Sequence, residues 1–115
     1  MAEKMTVWKD RDNPIYITMT EDGTNLTVEQ MEAITKVEIF FDGVYYSSAD
    51  YSDCFDLASK KDESKIIIYP GLLPLPDDHA TQDYAELIIY DASNTNGIVW
   101  MQFVMIVMTD AEKAS

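Results

Sequence analysis

The residues able to do chemistry in this sequence are few and scattered. The lone histidine, His79, directly follows Asp77 and Asp78. A neighbouring aspartate cannot by itself orient an imidazole against a nucleophile, and no Gly-x-Ser-x-Gly elbow accompanies the pair. His79 is therefore expected to be a solvated loop residue. A single cysteine, Cys54, cannot close an internal disulfide, and with one histidine it cannot build a structural zinc site. It reads as a small half-buried residue in a chain folding in a reducing compartment. Asp10, Asp12 and Asn13 could lend oxygens to calcium, as could Asp50, Asp53 and Asp56. Neither set has the EF-hand spacing, with a glycine at the sixth position and a closing glutamate. Gly23, Gly43, Gly71 and Gly97 each stand alone in turn-like sequence, so no phosphate cradle forms. Asn25-Leu26-Thr27 matches a glycosylation sequon, but MAEKMTVWKD has no secretory h-region. No catalytic residue, metal site or cofactor is expected.

Charge narrows the partners. Eight basic against 21 acidic residues give a net charge of -13. Such a surface repels phosphate backbones and anionic lipid, which argues against nucleic acid and membrane. The richest apolar stretch, Ile98 to Met108, is far shorter than the roughly 20 residues a membrane helix needs. Acidity is then either a device for solubility or a match to a basic protein. At 115 residues with a 47% hydrophobic share, residues 1–115 are expected to form one domain with its own core.

The elements that must position any site are strands. Ile15, Ile17 and Met19 alternate with Tyr16, Thr18 and Thr20, and Asp22-Gly23 follows as a turn. Thr27-Val28-Glu29-Gln30 has capping-box spacing and predicts one short helix near residues 28–34. Val37, Ile39 and Phe41 line one face of a strand over 35–41. Asp42-Gly43 then joins it to Val44–Ser47 as a hairpin. A weaker strand over 52–58 faces Phe55 and Leu57 inward, and Lys65 to Tyr69 forms an isoleucine strand. Pro70, Pro74 and Pro76 exclude a central strand there and suit a crossing between two sheets. Tyr84–Asp91 and Ile98–Met108 close the chain, with Ala92 to Gly97 between them ending in the hairpin signal Asn96-Gly97. About seven to eight short strands at this spacing predict an all-β, antiparallel sandwich.

The last hairpin is too apolar for a strand with one wet face. Val99, Met101, Phe103, Met105 and Val107 can fill the core, which leaves Trp100, Val104, Ile106 and Met108 outside. On the preceding strand Ala85, Leu87 and Ile89 face inward, with Tyr84, Glu86, Ile88 and Tyr90 outward. Ile88, Tyr90, Trp100, Val104 and Ile106 are thus the expected partner-binding residues, unless Met5 to Trp8 or the proline-rich loop covers them. An exposed patch of this kind marks a subunit or partner interface.

The order of these features resembles a known family. Asp12-Asn13-Pro14-Ile15-Tyr16-Ile17-Thr18-Met19, Asp22-Gly23, Leu26-Thr27 and Val37-Glu38-Ile39-Phe40-Phe41-Asp42-Gly43 come first. Tyr84-Ala85-Glu86-Leu87-Ile88-Ile89-Tyr90-Asp91 and Asn96-Gly97-Ile98-Val99-Trp100 follow. The chain resembles the small immunoglobulin-like domains of tailed-bacteriophage structural proteins of tail and baseplate type. That resemblance implies an immunoglobulin-like sandwich made in the bacterial cytoplasm and carried in the virion. Its partners would be other protein subunits, in a homo-oligomer or a multi-copy assembly, with no catalytic residue. A capsid-decorating or head-tail joining subunit fits equally. Two other readings differ in what binds. An acidic inhibitor of a basic host protein would use Asp50, Asp53, Asp56, Asp77 and Asp78. A carbohydrate-binding sandwich would need Trp8, Tyr45, Tyr46 and Trp100 on one face.

Overall fold

Alternating apolar residues become strands in the order the sequence presents them. The computed structural model describes residues 3–75 and 81–108. In chain order it shows β1 (Glu3–Trp8), β2 (Ile15–Thr18), β3 (Thr20–Glu21), β4 (Thr24–Asn25) and helix α1 (Val28–Glu32). These are followed by β5 (Ile34–Phe41), β6 (Val44–Ser47), β7 (Phe55–Asp56), β8 (Lys65–Ile68), β9 (Thr81–Asp91) and β10 (Asn94–Met108). A 5-stranded sheet has the order β1-β10-β9-β5-β6, and a 3-stranded sheet the order β2-β8-β7. The fold is an all-β sandwich. Its strands exceed the expected number because β1 adds an edge strand, and because β3 and β4, only 2 residues each, are too short to show alternation. Within the two layers the ladders are antiparallel, except that β1 runs parallel to β10.

Turn chemistry explains the tight connections. Asp22 and Gly23 have φ of 53° and 79°, and Asp42 and Gly43 have 51° and 81°. Left-handed backbone at both central positions is what a two-residue type I′ hairpin needs, and aspartate and glycine tolerate it. The helix opens on the expected capping box. The Gln30 amide donates to Thr27 Oγ1 at 3.1 Å, and the Thr27 amide donates to Gln30 Oε1 at 2.8 Å. It ends at Glu32, short of the expected 34, because Ile34 already begins a β-branched run paired with β9. The strand expected over 52–58 shrinks to β7 behind a 3-10 turn at Ser52–Cys54. Asp56 ends it, its Oδ1 accepting the Ala58 and Ser59 amides at 3.1 and 2.9 Å.

The core lies between the layers. Val37, Ile39 and Phe41 of β5, as expected, pack with Ala85, Leu87 and Ile89 of β9 and Phe103, Met105 and Val107 of β10. Ile66 and Ile68 of β8 and Phe55 of β7 face them from the other sheet. Residues after β8 leave that sheet in a 3-10 turn at Pro70–Leu72 and bury Leu73 and Leu75. Tyr46, on the inner side of β6, donates its hydroxyl to the Pro74 carbonyl at 3.4 Å. Asp77, Asp78 and His79 lie outside the described residues. Among those described, no helix is long and apolar enough to cross a membrane.

Candidate protein-interaction face

Period-two alternation gives the larger sheet an outer face, and register decides who meets on it. Val7 and Val107 pair and are both buried, so their neighbours on the two strands turn outward. Trp8 stands opposite Met108, Thr6 opposite Ile106, and Lys4 opposite Val104. Val104 in turn stands opposite Tyr84 of β9, which is 68% exposed. Cross-strand neighbours of this kind lie about 4.5–5.5 Å apart at Cβ. Trp8, Met108, Ile106, Val104 and Tyr84 therefore adjoin as an apolar and aromatic field across β1, β10 and β9, with Thr6 and Lys4 beside it on β1. The next row is polar: the Gln102 amide donates to Glu86 Oε2 at 2.9 Å. Beyond it, the Phe40 and Tyr45 rings meet in a tilted contact, 4.6 Å between centroids, towards the β6 edge.

This arrangement redistributes the five residues expected to bind. Val104 and Ile106 are in the field and half-buried. Ile88 and Tyr90 share the outer face but lie across the Glu86–Gln102 bridge, and Ile88 is only 7% exposed. Trp100 is a correction. It packs against the core on the inner side, not on the outer patch. The cause is a register shift in β10 between Val99 and Met101, which inserts one residue and reverses the alternation. Val99, expected in the core, is 50% exposed. Segment Met5 to Trp8 does not lie over the face, as one alternative had it. It extends the sheet at the edge, and its Trp8 enlarges the field. The signal was present: Met5 and Val7 alternate with Thr6 and Trp8, so one face of β1 is apolar and the other carries the indole.

The turn also moves. The expected closure at Asn96-Gly97 is replaced by a two-residue loop, Ala92 and Ser93, between the paired Asp91 and Asn94. Asp91 Oδ1 accepts the Ser93 amide, the Asn94 amide and the Asn94 side chain at 3.0, 2.8 and 2.9 Å. Asn96-Gly97 becomes an irregularity inside β10, with Gly97 at φ 86°.

On the β5 side the outer face holds a buried carboxylate. Glu38 is 8% exposed, and the Tyr90 hydroxyl donates to its Oε1 at 2.5 Å. Lys36 Nζ lies 3.6 Å from Glu38 Oε2 and 4.2 Å from the centre of the Tyr90 ring. Glu38 thus meets an acid hydrogen and a cation, as a carboxylate removed from water requires. Tyr90 is pushed up to about 12, first by this hydrogen bond, then by burial and the Glu38 charge. A folded-state value above the unfolded 10.0 means stability that is full below pH 10 and lost as pH climbs through about 12. Ultraviolet titration is expected to show one late-ionising tyrosine that Tyr90→Phe removes. Glu38→Gln should return it towards the ordinary value. Unchanged ionisation in Glu38→Gln would contradict the assignment.

The remaining candidate groups serve local structure. Asn13 donates its side-chain amide to the Trp8 and Arg11 carbonyls at 2.5 and 3.1 Å, tying the loop between β1 and β2. Asp50 accepts from the Ser47 hydroxyl at 3.3 Å, and Asp56 caps its own turn. Asp53 and Asp56 line an open depression with Lys36, Ser48 and Tyr69. Among the described residues no three His, Cys, Asp or Glu groups come together as metal ligands. Cys54 is buried, and burial, followed by the Asp53 charge, pushes its thiol up. Of the aromatics weighed for sugar binding, Trp8 and Tyr45 sit on opposite edge strands, while Tyr46 and Trp100 face inward.

The fold and this face define an all-β sandwich with an apolar field on the outside of its larger sheet. No protein-family model matches the chain, and no curated protein matches it.

Proposed function

We propose that the chain is a non-catalytic assembly subunit that acts through protein–protein contacts, with the outer β1–β10–β9 face as its docking surface. One observation carries the reading. In a chain with 21 acidic residues, the rows holding Trp8, Met108, Ile106, Val104 and Tyr84 present no carboxylate among their described side chains. Absence of carboxylates, with Lys4 the one charge among the described side chains of those rows and with Trp, Tyr and Met present, suits an interface centre. The resemblance to immunoglobulin-like domains of tailed-phage structural proteins supports a virion setting, in a tail, baseplate or tail-tip component. Capsid decoration or head-tail joining is the neighbouring alternative.

The test is native mass by size-exclusion chromatography with light scattering, in low and high salt. The wild-type chain is expected to exceed its 13.1 kDa monomer mass or to capture a virion subunit, with little salt dependence. Ile106→Asp should weaken that association at least about tenfold by placing a charge in the field. An association that Ile106→Asp leaves intact would overturn the proposal. One that collapses with salt would point to the acidic-inhibitor reading instead.

A further inference from the structure

We infer that the open end of the sandwich is a second docking groove, which takes an aliphatic side chain flanked by lysine or arginine on an extended protein segment. This goes beyond the outer-face reading and rests on different residues. β10 breaks register twice, between Asn94 and Ile98 and between Val99 and Met101. Counting back from the buried Phe103 in a regular strand would turn Val99 inward and Trp100 outward. The inserted residue reverses that, so Ile98 and Trp100 both point to the inner side. There they line a groove of about 290 Å³ with Leu26, Ile34 and Ile89.

Ile98 remains 41% exposed although it is on the core side of its strand. Bulges re-aim side chains, and here two of them bring an indole and an isoleucine into the lining of a cleft whose aliphatic wall is Leu26, Ile34 and Ile89 and whose other residues include Gln30, Ser93 and Asn94. Its size is near the lower end of the roughly 300–1,000 Å³ of ligand clefts. The rim gives the charge of the occupant. Glu21 and Asp91 both line the groove, no lysine or arginine does, and neither carboxylate is in an ion pair among the described residues. A cation beside the inserted aliphatic group would meet these carboxylates.

The test uses the full chain labelled with nitrogen-15, reading the indole N–H signals of its 2 tryptophans, assigned with Trp8→Phe. The probe is acetyl-Lys-Leu-Arg-Leu-Lys-amide. Controls replace its leucines by serine or its cations by glutamate. Saturable movement of the Trp100 signal with the probe, and with neither control, supports the groove. Ile98→Asp should weaken binding roughly tenfold while the native mass of the wild type is kept. Glu21→Gln, at an exposed position, provides a milder second test should Ile98→Asp fail to fold. Absence of binding, equal binding of the serine control, or insensitivity to both substitutions overturns the inference. None of these outcomes bears on the outer face, whose association is read separately by native mass.

Discussion

Gly71→Ala is expected to lower the unfolding free energy by about 3 kcal/mol or more, the upper range for overpacking a filled site. Gly71 is buried in the 3-10 turn after β8. A methyl group on it would collide with the Arg11 carbonyl oxygen and lie 2.6 Å from both Asn13 Nδ2 and the Trp8 carbonyl oxygen. Those groups hold the crossing from β1 to β2. The Asp10 amide donates to the Gly71 carbonyl at 2.6 Å, and the Arg11 amide donates to the Trp8 carbonyl at 3.1 Å. Two of the three atoms are backbone oxygens, and the Asn13 side-chain amide is hydrogen-bonded to both, so relief requires backbone movement. That movement would pull β1 from the edge of one sheet or β2 from the other, since this loop joins the two layers. Urea unfolding followed by circular dichroism measures the effect. Leu72→Ala, at the next and exposed position, should cost no more than about 0.5 kcal/mol. Equal midpoints for the two variants would refute the close approach.

What was legible in the sequence follows the range of the forces involved. The Asp22-Gly23 turn, the Asp42-Gly43 hairpin and the Thr27 capping box are local, set by residues within one turn, and they appear as read. Alternation over Val37, Ile39 and Phe41 also survives, because a one-residue slip would expose all of them. The parallel placement of β1 was not legible: it depends on pairing Glu3 with Phe103 across the whole chain. Nor was the orientation of Trp100. Two turn signals compete between β9 and β10, and the aspartate wins because one carboxylate oxygen satisfies three donors. With the turn fixed at Ala92 and Ser93, the extra residues of β10 must be absorbed as bulges. The interface residues inherit that error: Val104 and Ile106, beyond the bulges, face as read, whereas Val99 and Trp100, within them, are exchanged.

Gly97 is where those bulges are held, and Gly97→Ala is expected to cost about 2–5 kcal/mol by adding a left-handed penalty to overpacking. Its φ is 86°, and an added Cβ would lie 2.7 Å from Ile88 Cγ2 and 2.9 Å from two carbons of the Tyr90 ring. One relief route moves Tyr90, which lengthens its hydrogen bond to Glu38 and leaves a buried carboxylate short of a donor. The other surrenders the bulge, which would return Trp100 to the outer face and take it out of the lining of the end groove. The two routes leave different traces, an earlier tyrosine ionisation in the first and a displaced Trp100 indole signal in the second. Gly23→Ala separates backbone from packing. Gly23 has a similar φ of 79° but nothing within 4 Å of its added Cβ. It should therefore cost only the left-handed term, about 1–2 kcal/mol. The excess for Gly97→Ala in urea unfolding then measures how tightly the backbone of β10 sits on Ile88 and Tyr90. Equal costs at the two positions would mean that this contact does not hold the irregular stretch in place, and the orientation of Trp100 would need another cause.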